Sequence, residues 1–458
     1  MSAPTPARRV AYEVLRRVFE HGAYADRSLR SALARAGVED GRERALAQRI
    51  AYGAVQRRAT TDHFVSRLAS RPVSRIDRPL IAALRLGLFE LLFDDAAAAH
   101  AAVDQAVELA KGGRDGGRRH RGAGLVNAVM RRAARDRDSL LAGLGDETPA
   151  EAALRHSLPE WIAELWWSER GPEEARALMA AANVPPERVY RCLAPGTAER
   201  LAAAGVELEH AALPGGGEAP AGAEPVELLR VTGGSWGAVE AAIESGSLLP
   251  QSPGSALAGA ALDVQPGDRV LDLCAAPGIK ATQLAAAAGE DGSVVAVERD
   301  RGRAAELERL CERAGYGQVE VLVGDGTELD LGSGYDRVLV DAPCTGLGTL
   351  ASRPDARWRR EAGDVAELAT LQTTLLRSGL RALRPGGRAV YSVCTISSVE
   401  SRGVVDDALC ERGADAAPID LGARRPAIAD AEQPRSLQVL PGRDRSDGFF
   451  IAAMERGT

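Results

Sequence analysis

The sequence VLDLCAAPGIKATQLA, residues 270–285, determines the fold class of the C-terminal half of this 458-residue chain. It has the pattern of a short apolar strand, a tight turn around Pro277 and Gly278, and then a helix. Such a turn opens a doubly wound α/β domain, in which a ligand lies across the carboxyl ends of parallel strands. The turn lacks the GxGxxG spacing of dinucleotide-binding domains, so no pyrophosphate site is predicted.

The same alternation of strand, turn and helix runs from about residue 246 to the end of the chain. Apolar strands are predicted in DRVLDLC, SVVAVERD, VEVLVGD, YDRVLVDAPC and RAVYSVC, and a last one in DGFFIAAM. Strands that alternate with helical stretches predict a largely parallel sheet with helices on both faces.

Residues 1–140 have helical periodicity instead. Val10, Val14 and Val18 recur at every fourth position, and RPLIAALRLGLFELLFD (78–94) is apolar nearly all round, which predicts a central helix. The basic segment KGGRDGGRRHRG (111–122) predicts a flexible loop, either one that contacts phosphates or a solvated linker.

The length of the chain predicts two or three domains, because a single core rarely grows this large. Residues 141–245 have mixed patterns and include a loop or linker rich in glycine, proline and alanine at 212–225. The predicted domains are therefore 1–140, 141–245 and 246–458.

The net charge of −7 is unevenly distributed. Residues 1–140 carry 26 Lys and Arg against 16 Asp and Glu, a net of +10, which leaves −17 on the remainder. This asymmetry suits a basic module that binds nucleic acid, attached to an acidic module. An ordinary basic, solvated face would give the same count, so charge alone leaves both interpretations open.

Cysteine and histidine usage indicates the compartment. The six cysteines stand singly with no CxxC pair, and the six histidines have no metal-ligand spacing. This pattern predicts reduced thiols and no metal. The N-terminus has no apolar signal region, and no run of about 18 uncharged apolar residues occurs, which predicts a cytoplasmic chain with no membrane segment.

Three acidic residues stand at successive predicted strand ends. Glu298 follows Gly278 by 20 residues, where a carboxylate can accept both hydroxyls of a ribose, and Asp325 is placed to contact an adenine amine. With Asp341 after the fourth strand, they predict a nucleoside cofactor without pyrophosphate, such as S-adenosylmethionine. Lys280, one of two lysines in the chain, indicates that an ammonium is needed at the turn; a chance exposed lysine is the alternative.

Two cysteines follow the next strands. DAPCTGLG places Cys344 near Asp341, and YSVCTIS (391–397) places Cys394 at the following strand end. A lone free cysteine is usually a packing residue. Two of them beside an acid fit methylation of cytosine at carbon 5, because a thiolate that adds to carbon 6 makes carbon 5 nucleophilic, and the acid can bond the N3/N4 edge. The chemistry does not rank the two cysteines.

The motifs CAAPGIK, LVDAPCTGLG and YSVCTISSVES resemble those of RNA cytosine-5 methyltransferases, which typically read CAAPGGK, DAPCS and TCS. AVDQAVELAK and GLVNAVMRR are similar to the N-terminal NusB-like domain of the bacterial RsmB/Sun branch, and HSLPEW and NVPP resemble its connecting region. The resemblance covers nearly the whole chain. It implies a Rossmann-like methyltransferase domain, preceded by an all-α NusB-like domain and a mixed connecting subdomain.

The resemblance also implies roles for residues. It makes Cys394 the nucleophile and gives Cys344 a part in product release, whereas the catalytic role of Asp341 follows from the ring chemistry above. RNA is the implied partner, with small-subunit ribosomal RNA as the first candidate. The implied contacts of S-adenosylmethionine are Cys274, Ala275, Ala276, Pro277, Gly278, Ile279, Lys280, Glu298, Asp325 and Asp341.

The chain departs from the family pattern at two of these motifs. Ile279 replaces a usual glycine, which tightens the cofactor turn, and Val393 stands where the family generally has threonine, which removes a hydroxyl beside the nucleophile. Two alternatives stay open at this point: methylation of tRNA by the same mechanism, and an RNA-binding ribosome-assembly factor with a vestigial methyltransferase domain.

Overall fold

A computed structural model describes residues 3–112, 122–216, 226–410 and 415–457. The chain forms two compact units: residues 1–185 together with 350–360, and residues 186–349 together with 361–458. Residues 113–121 of the predicted basic loop (111–122) and residues 217–225 of the predicted loop or linker (212–225) lie outside the described residues. The division into three domains stays a prediction.

The first unit is helical, as predicted for residues 1–140. Its helices are α1 Pro6–His21, α2 Ala25–Ala36, α3 Gly41–Gln56, α4 Arg58–Ala69, α5 Arg78–Leu92, α6 Ala99–Lys111, α7 Ala123–Arg135, α8 Arg137–Ala142, α9 Pro149–His156 and α10 Glu160–Ala181. The stripe of Val10, Val14 and Val18 is buried, and the central helix α5 is buried on nearly every side.

Local signals explain several of these helix ends. Pro79 lies in the first turn of α5, where a missing N–H costs nothing. Asp40 caps α3 by accepting hydrogen bonds from the backbone N–H groups of Arg42 and Glu43. Thr148 and Glu151 form a reciprocal capping box at the start of α9. None of the described helices is long and apolar enough to cross a membrane.

The first unit includes the segment 350–360, which is distant in sequence from its helices. Arg357 in this segment is 0% exposed. Its guanidinium donates to four oxygens of the unit: the carbonyls of Ala182 (2.7 Å), Leu350 (3.0 Å) and Ser157 (3.2 Å), and Oδ1 of Asn183 (3.1 Å). A buried charge with this many acceptors fixes the segment against the ends of α9 and α10.

Trp358, the residue after Arg357, also attaches this segment to the helical unit. The indole N–H of Trp358 donates to the carbonyl of Val55 over 2.7 Å, and Arg58 stacks 5.2 Å from the Trp358 ring centre. Nε2 of Gln56 also donates to the carbonyl of Ala351 over 3.2 Å. These contacts attach the segment to the helical core.

The second unit begins with a small antiparallel sheet and two helices. These elements are β1 Val189–Cys192, α11 Thr197–Ala203, β2 Val206–His210, β3 Leu228–Gly234, α12 Trp236–Glu244 and β4 Leu248–Pro250. The strand order is β2-β3-β1-β4. The core of this part includes Leu201, Leu229 and Val239.

The larger sheet has eight strands and five accompanying helices. Its elements are α13 Pro253–Ala261, β5 Arg269–Leu273, α14 Ile279–Ala288, β6 Ser293–Glu298, α15 Arg301–Ala314, β7 Val319–Val323, β8 Tyr335–Asp341, α16 Ala362–Ala382, β9 Leu383–Val393, α17 Arg402–Leu409, β10 Ala416–Ile419, β11 Leu437–Val439 and β12 Phe449–Arg456. The order is β10-β12-β9-β8-β5-β6-β7, with β11 paired to β12. Strands β5 to β9 pair in parallel and the last three pair antiparallel, so the largely parallel sheet is confirmed.

Successive residues of a strand point to opposite faces, and both faces of this sheet are covered. Leu271 and Leu273 of β5 pack with Leu376 of α16, whereas Val270 packs with Leu284 of α14. The predicted helices on both faces are therefore confirmed. The carboxyl ends of β5 to β9 are left as one edge on which side chains can meet.

Candidate active site

The predicted site residues lie along this one edge of the sheet. In the order β7-β6-β5-β8-β9, the strand ends carry Asp325, Glu298, Cys274, Asp341 and Cys394. Because these five strands run in parallel, their carboxyl ends meet at the same edge, as the ligand cleft of a doubly wound domain requires.

The turn after β5 is held in a compact form. Cys274 and Gly278 have left-handed backbone angles, with φ of 65° and 103°. The Ala275 N–H donates to the carbonyl of Val297 over 2.9 Å, and α14 begins directly after Gly278. Burial raises the pKa of the Cys274 thiol to about 12, so Cys274 stays neutral and lines the turn rather than attacking a substrate.

Asp272, inside β5, is an acid that the sequence analysis did not single out. It is 1% exposed, and neither of its carboxylate oxygens accepts a hydrogen bond from a described residue. Burial, and then the nearby charge of Asp341, raise its pKa well above the ordinary value. A buried carboxylate without donors is costly, which marks it as a group that a ligand can satisfy.

The next two strand ends carry carboxylates in different surroundings. Glu298 is buried, accepts the N–H of Asp300 over 2.9 Å and lies 3.5 Å from the guanidinium of Arg303. Asp325 is more exposed and accepts the N–H (3.0 Å) and the hydroxyl (2.7 Å) of Thr327, which hold the pKa of Asp325 below its ordinary value.

Lys280 and Asp341 form an ion pair across the turn. Nζ of Lys280 lies 2.7 Å from Oδ2 of Asp341, and the hydroxyl of Ser392 donates to Oδ1 over 2.7 Å. Lys280 is buried, so the alternative of a chance exposed lysine is wrong. Both oxygens of Asp341 are thus engaged, and the carboxylate is fixed in direction.

The two cysteines are brought together by neighbouring parallel strands. Cys344 follows β8 and Cys394 follows β9, and their sulfur atoms lie 3.4 Å apart. Both side chains are partly buried. The contact with the Cys394 sulfur, and then burial, raise the pKa of Cys344 well above its ordinary value.

Three residues of this edge escaped the sequence analysis, namely Asp272, Ser392 and Glu400. Asp272 is the one acid within the apolar strand VLDL, so the sequence alone could have marked it as a candidate site residue. Ser392 and Glu400 both lie within YSVCTISSVES, but nothing in that sequence shows which residues they contact. Among the described residues, no group of three His, Cys, Asp or Glu side chains is placed to hold a metal ion.

The chain matches two protein families. Residues 259–455 match the family described as 16S rRNA methyltransferase RsmB/F, and residues 5–135 match the NusB family. The first match takes in nearly all of the large sheet, and the second takes in helices α1 to α7.

Full-length relatives agree with these matches. A ribosomal RNA small subunit methyltransferase B of Thermus thermophilus is 34% identical over 100% of this chain and 99% of its own. One of Sodalis glossinidius is 31% identical over 91% of this chain and 90% of its own. A Mycobacterium tuberculosis protein named only as a methyltransferase candidate is 37% identical over 99% of this chain and 97% of its own.

Solved structures share the fold. The crystal structure of the protein PH0851 superimposes with a TM-score of 0.78 at 24% identity, covering 100% of both chains. A methyltransferase homologue from Pyrococcus horikoshii has a TM-score of 0.56 at 26% identity, covering 68% of this chain and 99% of its own. With the sequence matches, these likenesses lead to one assignment: the chain belongs to the RsmB/F family of 16S rRNA methyltransferases.

Proposed function

We propose that this chain transfers a methyl group from S-adenosylmethionine to carbon 5 of a cytosine in 16S ribosomal RNA, with Cys394 as a covalent nucleophile. The observation that carries the proposal is the pair of sulfur atoms, 3.4 Å apart, at two neighbouring strand ends. Asp341 ends the first of those strands. The relatives named as small-subunit methyltransferases support ribosomal RNA as the substrate.

The residues around the turn fit the cofactor. The buried carboxylate of Glu298 suits the two ribose hydroxyls, and Asp325 lies at the next strand end, where the adenine is expected. The two unsatisfied oxygens of Asp272 can accept hydrogen bonds from the ammonium of the amino-acid part. When bound, S-adenosylmethionine supplies an electrophilic methyl group on a positively charged sulfur.

The covalent step makes the cytosine ring reactive. The thiolate of Cys394 forms a bond to carbon 6, and the electron pair of the 5,6 double bond moves to carbon 5. Carbon 5 would then take the methyl group as the methyl–sulfur bond breaks, with S-adenosylhomocysteine as the leaving group. Carbon 5 then loses its proton to a base. The bond between carbon 6 and sulfur breaks, and the double bond and the thiolate are restored.

Asp341 and Lys280 stabilise this ring chemistry. The carboxylate of Asp341, held in direction by Ser392, can accept a hydrogen bond from the cytosine amino group. Its partner Lys280 places a positive charge 2.7 Å from the carboxylate, where it offsets negative charge that develops on the ring.

Cys344 is placed to assist an attack by Cys394. The neighbouring sulfur, and then burial, raise the pKa of Cys344, so it keeps its proton in the resting enzyme. Once Cys394 is bonded to the base, it can no longer place a negative charge beside Cys344. Cys344 then loses its proton more easily, which suits removal of the carbon-5 proton before release.

Alanine variants of the two cysteines test the proposal. Cys394→Ala should be folded, inactive and unable to form a covalent bond with RNA. Cys344→Ala should attack and methylate but stall, and should accumulate an enzyme–RNA adduct that survives denaturing electrophoresis and depends on S-adenosylmethionine. Cys410→Ala, at an exposed thiol, is the matched control and should behave as the unmodified protein.

Two other results would contradict the proposal. An adduct in Cys394→Ala would show that the attack comes from Cys344, and modest stability losses without any adduct would show that both cysteines only pack.

Isothermal titration with S-adenosylmethionine tests the alternative of a non-catalytic RNA-binding factor. Bisulfite sequencing of 16S ribosomal RNA and tRNA from a strain lacking the protein distinguishes the two RNA substrates.

A further inference from the structure

A buried carboxylate joins the two cysteine loops. Glu400 lies between β9 and α17 and is 0% exposed. Its two oxygens accept hydrogen bonds from four groups on three separate segments of the chain. The donors are the Thr345 N–H (2.7 Å), the Thr345 hydroxyl, the Thr395 hydroxyl (3.2 Å) and Nε2 of Gln372 (3.1 Å).

Two of the donor residues are the direct neighbours of the cysteines. Thr345 follows Cys344 and Thr395 follows Cys394 in the sequence. The two threonine hydroxyls also lie 3.1 Å from each other. A single side chain therefore connects the two backbone segments that carry the sulfur atoms, and its bond to Thr345 spans 55 residues of sequence.

Glu400 is itself held from two sides. The hydroxyl of Tyr391, on β9, donates to the backbone carbonyl of Glu400 over 2.6 Å. Gln372, on α16, donates from Nε2 to Glu400 and also to the carbonyl of Pro343 over 2.8 Å, which adds a second link to the segment before Cys344. The carboxylate is thus fixed to the helical layer as well as to the sheet.

From these contacts we propose that Glu400 is a positioning residue, which locks the Cys344 and Cys394 loops into one arrangement and so sets the separation of their sulfur atoms. A buried carboxylate is tolerated only where its oxygens have donors, so the loops cannot separate without leaving it unsatisfied. The kinetic consequence rests on the function proposed above, whereas the sulfur separation can be measured without RNA or cofactor.

Glu400→Gln tests the proposal with little change in shape. The amide retains one oxygen for the Thr345 and Gln372 N–H groups, but its NH₂ group replaces the oxygen that accepts the two hydroxyls. A backbone bond from the Gly348 N–H to the Cys394 carbonyl, over 3.0 Å, is independent of Glu400 and should keep the variant folded.

The first measurement is the rate at which diamide, an azo oxidant, joins the two cysteines. Two thiols give up two protons and two electrons to the N=N bond, which becomes a hydrazine, and a sulfur–sulfur bond forms. Peptide mapping then identifies the Cys344–Cys394 product. We expect rapid formation in the unmodified protein and about tenfold slower formation in Glu400→Gln, because a bond of about 2.05 Å needs both sulfur atoms in place.

The second measurement is methyl transfer. Glu400→Gln should lower kcat by about a hundredfold, the scale of a displacement of about 1 Å, with the KM values for RNA and cofactor little changed. Thr395→Val should reproduce this loss, and Thr395→Ser, which restores the hydroxyl, should recover it. Glu90→Gln is the matched control, since Glu90 is equally buried but pairs with Arg8 in the helical unit.

The disulfide rates in the variants decide whether Glu400 positions the two cysteines. Slow disulfide formation in Glu400→Gln and Thr395→Val, with normal rates in Thr395→Ser and Glu90→Gln, would establish the positioning role. Equal rates in Glu400→Gln and the unmodified protein, or no disulfide in either, would overturn it. If the disulfide rates are as expected but the unmodified protein does not methylate RNA, the proposed function is refuted and the positioning role still holds.

Discussion

Arg357 in the helical unit and Glu400 in the sheet unit are both fully buried charges that join distant segments, yet their partners differ. Arg357 donates to oxygens at the ends of α9 and α10, none of which belongs to a reactive side chain. Glu400 accepts from residues next to the two cysteines. A buried charge supports the fold where its partners satisfy it, and the identity of those partners shows whether the chemistry depends on it too.

The largest effect expected from this contrast is on stability. Arg357→Met should lower the free energy of unfolding by about 3 kcal/mol or more, because four buried oxygens lose their donor. Denaturant unfolding measures this loss, with Arg131→Met, at an exposed position, as control. The Cys344–Cys394 disulfide should still form at the normal rate. If the disulfide formed as slowly in Arg357→Met as in Glu400→Gln, the two buried charges would not differ in their effect on the cysteines.

Glu298 extends the comparison to a buried charge that faces a ligand. Glu298→Ala should raise the dissociation constant of S-adenosylmethionine at least about tenfold, because charge-assisted bonds to two hydroxyls are each worth about 1.5–3 kcal/mol. Isothermal titration checks this, and RNA binding should not change. Glu306→Ala, at an exposed position on α15, is the control. Unchanged cofactor affinity in Glu298→Ala would remove Glu298 from the site.

Asp272 is a buried charge without donors, so its removal should stabilise the protein. Its raised pKa means that the folded chain holds the proton more tightly than the unfolded chain does. Stability is therefore lost as pH rises above about 4, the ordinary value of the unfolded group. Asp272→Asn escapes this loss and should therefore be more stable than the unmodified protein at pH 7.

Urea unfolding between pH 5 and pH 8 tests this prediction. The stability gap between Asp272→Asn and the unmodified protein should widen with pH, while the affinity of the variant for S-adenosylmethionine falls. A gap that is constant over this range would show that Asp272 has an ordinary pKa.

The smallest effect expected is that of exposed charges on the helical unit. Three arginines near the start of α5 are exposed: Arg71 and Arg75 lie between α4 and α5, and Arg78 is the first residue of α5. Changing all three to glutamine should flatten the dependence of log K for RNA on log salt by about 2, at about 0.7 per phosphate contact with a single strand.

The matched control makes the same change on the sheet unit. It replaces three exposed arginines of α15 with glutamine: Arg301, Arg309 and Arg313. Filter binding at several salt concentrations should show a changed slope only in the helical-unit variant. Identical slopes in all proteins would mean that the basic charge of residues 1–140 is an ordinary solvated face.

The sequence predicted the parts of the fold that depend on local signals. Apolar runs identify the strands, and the turn at Gly278 marks where the first of them meets its helix. Because parallel strands end at one edge, the sequence also indicates that Glu298, Asp341 and Cys394 lie along the same side of the sheet. These inferences require only the order of strands and turns.

The rest depends on partners far away in the chain. Glu400 meets Thr345 across 55 residues, a pairing that requires the register of β8 and β9. The segment SRPDARWRRE is polar and has the pattern of a solvated loop, yet Arg357 within it is buried. No periodicity in a single sequence shows which carbonyl groups will surround such a side chain.

The membership of segment 350–360 in the helical unit has a consequence for synthesis on the ribosome. Residues 1–185 emerge first, but Trp358 must bond Val55, 303 residues earlier. At about 5–20 residues per second, the closing segment arrives roughly 10–30 s after the helices it completes. During that interval α9 and α10 lack their buried cation, so the N-terminal unit reaches its final stability only after strands β5 to β8 of the large sheet have been translated.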